Sequence, residues 1–169
     1  MKANMTMVAK QDKDTFRRDW AFYRTDLSEI QKVKRVVRKI IVHHTGFDGA
    51  FSVQRWYDIH RSHQRKGWRG IGYHYGVSPE GRIYALRPAN LVGSHTLGHN
   101  ADSIGVVVWG YKKKTPEAIE ALAKLVAYLC DLYDCPFYFH SDLGKTICPY
   151  LDKDDFSKRV QRYRQKEAK

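Results

Sequence analysis

Residues 36–46 read VVRKIIVHHTG. Val36, Val37, Ile40, Ile41 and Val42 are β-branched, and Gly46 closes the run. Branched side chains lose rotamer freedom in a helix and pack well on a pleated surface. The stretch is therefore a buried strand that runs into a glycine loop. The segments downstream of it alternate in kind. SVQRWYDIHRSHQRKGW begins at Ser52, a candidate N-cap, and sets Val53, Trp56, Tyr57 and His60 on one helical face, ending near Gly67. GYHYGVSPEGRIYALRP is a hairpin about the turn Ser78-Pro79-Glu80-Gly81. SIGVVVWG is a short, continuous apolar run, as a central strand would be. TPEAIEALAKLVAYLCDLYD carries an N-cap threonine and a proline at the first helical position. Its buried stripe is Ile119, Leu122, Ala123, Val126, Leu129 and Cys130. PFYFH is a further strand, and DDFSKRVQRYRQKEAK a basic terminal helix. Upstream, Phe16, Trp20, Tyr23 and Leu27 fall at helical spacing and predict a helix from Asp14 to Ile30. Strands alternating with helices give an α/β (α+β) class, with a central mixed sheet flanked by helices.

A chain of 169 residues is one domain and can bury a core without staples. The formal net charge is +12. That favours anionic partners: nucleic acid, acidic lipid or a wall polymer. No apolar run approaches the roughly 18 residues of a membrane span, and MKANMTMVAKQDKD has no apolar stretch for a secretory signal. Synthesis in the cytoplasm is expected, with any extracellular substrate reached after release. Cys130 and Cys135 are close enough in sequence to pair, but free buried thiols fit the missing signal better.

Candidate metal ligands are drawn from eight histidines and three cysteines. His43 and His44 sit where a strand meets a loop, His140 ends another strand, and Cys148 lies in the loop after it. Strand ends opening onto loops are where α/β proteins place their sites. Two imidazoles and a thiolate leave a fourth zinc position open, the form of a catalytic centre. Alternation cannot choose between His43 and His44, because neighbouring side chains on a strand point to opposite faces.

These segments resemble the zinc-dependent N-acetylmuramoyl-L-alanine amidases, a family of phage lysins and peptidoglycan recognition proteins. IIVHHTG is similar to its first-ligand strand, GWRGIGYHYGVSPEGRIYALRP to its tyrosine-bearing hairpin, and HSDLGKTICP to its last two ligands. VGSHTLGHNADSIGVVVWG resembles the segment between them. The likeness spans roughly Val36 to Phe156. It implies a catalytic domain at 36–156, with the extension and its helix at 1–35 and the basic helix at 157–169 outside or at the edge of it. It implies one zinc per chain on His43, His140 and Cys148, with Tyr73 as the active-site tyrosine. Two residues before the cysteine the family holds lysine in some members and threonine in others. Here Thr146 stands there and Lys145 one step back, so either is a candidate to assist. His95 and Asn100 are candidates to line the groove and Trp68 to stack on a sugar.

The implied reaction is hydrolysis of the amide between N-acetylmuramic acid and the L-alanine of the stem peptide. Zinc would make water a nucleophile at neutral pH, and Tyr73 would donate to the oxyanion. The alternative is a module of the same fold that binds muropeptides without cutting. A nucleic-acid binder is disfavoured, since no nucleic-acid motif accompanies the charge. The expected partner is bacterial peptidoglycan or muropeptides, met by a monomer.

Overall fold

The computed structural model describes residues 20–167. Strands β1 (Tyr23–Thr25), β2 (Lys39–His44), β3 (Tyr75–Val77), β4 (Ile83–Ala85), β5 (Ser103–Val108) and β6 (Phe137–Phe139) form one sheet, ordered β1-β4-β3-β5-β2-β6. The run from β3 through β5 and β2 to β6 is parallel, and β4 and β1 finish one edge antiparallel. The helices are α1 (Gln54–Arg65), α2 (Pro116–Tyr133), the single turn α3 (His140–Leu143) and α4 (Lys153–Glu167). This is the mixed sheet with flanking helices that the alternation of patterns demands.

Each face of the sheet has its own core. Ile40, Val42, Ile104, Val106 and Val108 pack with Leu122, Val126 and Leu129 of α2 and with Phe156 and Val160 of α4. Val107 and Tyr84 pack on the other face with Trp56 of α1 and with Trp20 and Phe22. Burial of a Val, Leu or Phe side chain contributes about 1.5–3 kcal/mol, so these two layers are what hold the strand ends in place. In α2 the Thr115 hydroxyl accepts the Ala118 N–H at 3.0 Å, as its N-cap position predicts. Ile119 sits at the margin of the stripe and is only partly buried.

Two local expectations change. Over its described part, 20–30, the expected N-terminal helix is instead β1 and a single 3-10 turn, Leu27–Glu29; residues 14–19 lie outside the described residues. The reason is tertiary. β4 offers an open edge, and Tyr23–Thr25 pairs with Ile83–Ala85, so backbone hydrogen bonding overrides the helical spacing. At α1, Ser52 gives only its carbonyl, to the Arg55 N–H at 2.9 Å, and Val53 occupies the N-cap position without a side-chain cap. Cys130 and Cys135 are both buried free thiols.

Candidate metal centre

Register assembles the site. β2 and β6 are parallel neighbours with Val42 opposite Phe139. The next residues, His43 and His140, therefore leave the sheet side by side, with ring centroids 4.7 Å apart. Val42 and Phe139 belong to the α2 face, so the residues after them turn to the α1 face. The same alternation separates His43 from His44. The His44 ring packs on Tyr111 at 5.3 Å, and only its backbone N–H reaches the site, donating to Cys148 Sγ at 3.3 Å.

The short turn α3 follows at once and brings the chain back. The Asp142 carboxylate accepts the Phe139 N–H at 2.8 Å, and the Ser141 N–H donates to the Cys148 carbonyl at 2.9 Å. Cys148 Sγ stands 3.8 Å from His43 Nδ1, and the ligand atoms of His43, His140 and Cys148 all lie within 4.8 Å of one another. Nitrogen and sulfur held at about 2.1 and 2.3 Å by one tetrahedral ion would be roughly 3.6 Å apart. Two imidazoles and a thiol at this spacing fit zinc. Burial holds His43 well below the usual imidazole range, reinforced by His140 and His44, and burial lowers His140 too. Both rings are thus neutral and keep a lone pair to donate. Burial pushes the Cys148 thiol up to about 11, against the His44 N–H and Lys114. A cation bound here would displace the thiol proton.

The outer nitrogen of His43 is also held. Nε2 meets His95 Nδ1 at 2.9 Å and Thr96 Oγ1 at 3.2 Å, and His95 Nε2 meets Ser103 Oγ at 3.2 Å. Asn100 Oδ1 accepts the N–H groups of both His95 and Thr96 at 2.9 Å. Gly105 makes room: a Cβ there would stand 2.6 Å from the His95 ring. Both His95 ring nitrogens are thus engaged, and Asn100 Oδ1 fixes the backbone that presents His95 and Thr96 to His43. A metal-bound histidine needs such a partner to fix its tautomer and orientation.

Tyr73 stands two residues before β3, and its ring lies 5.1 Å from the His43 ring. Burial, and then Cys148, hold its phenol well above the ordinary range, so it is a donor at neutral pH. Two α1 histidines one turn apart fix the segment leading to it. His60 Nδ1 accepts the Ile71 N–H at 2.9 Å, and His63 Nδ1 accepts the Gly72 N–H at 3.0 Å. Their spacing in the sequence signals a shared face but not this task. Thr146 Oγ1 accepts the Cys148 N–H at 3.1 Å, while Lys145 is exposed on the same loop. Trp68 is exposed at the margin of the site, its ring 4.7 Å from His63. A separate surface cavity of about 290 Å³ lies between the β1–β4 edge and α2, remote from these residues.

Known proteins share this arrangement of sequence and fold. Residues 33–151 match a family model described as N-acetylmuramoyl-L-alanine amidase. An endolysin of Klebsiella phage KP32 is 33% identical over 104 residues, covering 56% of this chain and 69% of the phage protein. The N-acetylmuramoyl-L-alanine amidase LysC from Clostridium intestinale URNW is similar in structure at a TM-score of 0.68 and 30% identity, over 85% of this chain and 93% of that one. Peptidoglycan recognition protein LE, solved in complex with tracheal cytotoxin, is similar at 0.61 and 26% identity, over 69% and 76%.

Proposed function

The chain belongs to the N-acetylmuramoyl-L-alanine amidase family, and from that premise we propose that it is a zinc-dependent hydrolase. It cuts the amide between N-acetylmuramic acid and L-alanine in peptidoglycan. The observation that carries this reading is the convergence of His43, His140 and Cys148 within 4.8 Å, with the Tyr73 ring against His43. The catalytic unit is 36–156, with 1–35 and 157–169 flanking it.

Zinc held by these three residues would supply Lewis acidity, which makes water nucleophilic near neutral pH and polarises a carbonyl. The chain's own groups do the rest. His95 and Thr96 hold the His43 ring by Nε2, so that Nδ1 faces inward. The Tyr73 phenol, kept protonated by burial, donates to the oxygen on which charge develops. Thr146, hydrogen-bonded to the Cys148 N–H, shapes the ligand loop. Exposed Lys145 adds positive charge beside it. Trp68 offers a ring face to a sugar.

The test is loss of turbidity of purified cell walls, with products identified by mass. Clearing that stops on exhaustive chelation and returns with zinc supports the reading. Clearing that survives chelation, or walls that are bound but never cut, overturns it; the second result leaves a recognition module.

The partner is peptidoglycan or its fragments, whose carboxylates, with the phosphates of associated polymers, suit a chain of net charge +12. Lys112, Lys113 and Lys145 are exposed near the ligand loop. Exposed charges are screened beyond about 8 Å at physiological ionic strength. Wall sedimentation across a salt series should therefore show binding that weakens steadily as salt rises. Binding indifferent to salt would assign the basic residues another purpose. Among the described residues no helix is long and apolar enough to cross a membrane. We propose that the protein acts on the wall after release from the cytoplasm, as a monomer.

A further inference from the structure

Lys114 lies between β5 and α2, in a run of three lysines whose other members, Lys112 and Lys113, are exposed. Its ammonium is turned inward. It donates to the carbonyls of Tyr111, of Pro149 at 2.6 Å and of Tyr150 at 2.9 Å. An ammonium has three protons, and these carbonyls take all of them. His44 Nδ1 lies 3.5 Å from the same nitrogen.

Two of the three carbonyls directly follow Cys148. Before it, the chain is held by Thr146 Oγ1 on the Cys148 N–H, and the Ser141 N–H holds the Cys148 carbonyl. After it, the Tyr150 N–H donates to the Ile147 carbonyl at 2.7 Å within the loop itself, and Lys114 ties the Pro149 and Tyr150 carbonyls to the segment after β5. That side is also the strained one. Tyr150 has φ 55°, in the left-handed region that side chains disfavour, and its carbonyl is one that Lys114 binds. The clamp also joins the ligand loop to the loop after β5, whose strand pairs with β2, the strand carrying His43.

We propose that Lys114 is a positioning residue of the metal centre. It fixes the backbone after Cys148 so that Sγ stays on the His44 N–H and faces His43 and His140. The inference rests on the reading of those three residues as zinc ligands.

Three measurements on the full chain test it: zinc affinity by competition with a chromophoric chelator, the thiolate-to-cobalt absorption of the cobalt-loaded protein, and the unfolding midpoint of the metal-free protein. Lys114→Met keeps most of the stem and removes the donors. Zinc affinity should fall by about 10–100-fold, the usual cost of losing a group that supports a ligand. The cobalt absorption should weaken or shift, and the metal-free midpoint should hardly move. Lys114→Gln keeps an amide donor and should fall between. If Lys114→Met does not fold, the glutamine variant carries the measurement and should still bind zinc several-fold more weakly than the wild type. Unchanged affinity and cobalt absorption overturn the proposal. So does a lowered midpoint with affinity intact, which would make Lys114 a fold residue only. A wild-type protein that binds neither metal overturns the metal reading itself, so the two failures are distinct.

Discussion

Replacing Cys148 with alanine is expected to empty the metal centre and reduce wall hydrolysis by more than about 10³-fold. Two neutral imidazoles would remain, and the only anionic donor among the three proposed ligands would be gone. Without the ion, water keeps a pKa of about 15.7 in place of about 7, which removes the nucleophile at neutral pH. The change has a second, separable effect. Sγ accepts the buried His44 N–H at 3.3 Å. Alanine leaves that donor unsatisfied, at a cost of about 1–3 kcal/mol. Cys148→Ser separates the two effects, because its hydroxyl can accept the N–H while binding zinc less well than a thiolate. Metal content by atomic emission, turbidity loss and thermal unfolding of each variant form the measurement. A Cys148→Ala protein that retains stoichiometric zinc and wild-type clearing would remove Cys148 from the ligand set.

Tyr73→Phe is expected to slow hydrolysis by about 10²–10³-fold, or roughly 3–4 kcal/mol of barrier, as loss of an oxyanion donor does. Zinc content should not change, since the phenol is not placed among the ligands. Stability should change little, because the phenylalanine ring keeps the packing against His43 and His63. The effect should fall on kcat more than on KM, because the oxyanion exists only in the transition state and the intermediate. Wild-type kcat in the phenylalanine variant would leave the chemistry to the zinc alone.

The β-branched run of β2, the Ser78–Gly81 turn, the Thr115-Pro116 start of α2 and the apolar run of β5 each carry a local signal strong enough to read. β2 begins only at Lys39, with Val37 buried ahead of it and Val36 59% exposed; the last three stand as expected. The N-terminal segment does not. Its helical spacing is genuine, but β4 presents an unpaired edge, and pairing across about 60 residues of sequence is invisible in a local pattern.

The same division runs through the site. Residue type and order alone, set beside a family resemblance, pick out His43, His140, Cys148 and Tyr73. The choice of His43 over His44 becomes physical only when Val42 is placed opposite Phe139, because parallel register decides which face a side chain shares with its neighbour. Asn100 and His95 are legible as polar residues near the centre. Their hydrogen bonds, which hold His43 from behind, are not. Lys114 reads as one of three solvated lysines. Its role depends on the Pro149 and Tyr150 carbonyls, over 30 positions away in the chain. Most elements and the candidate donors are legible in the chain, since propensity, turn chemistry and donor type are properties of short stretches; β1 is the exception. How those residues are held is a property of the fold, since a hydrogen bond between distant segments exists only once the sheet has fixed their separation.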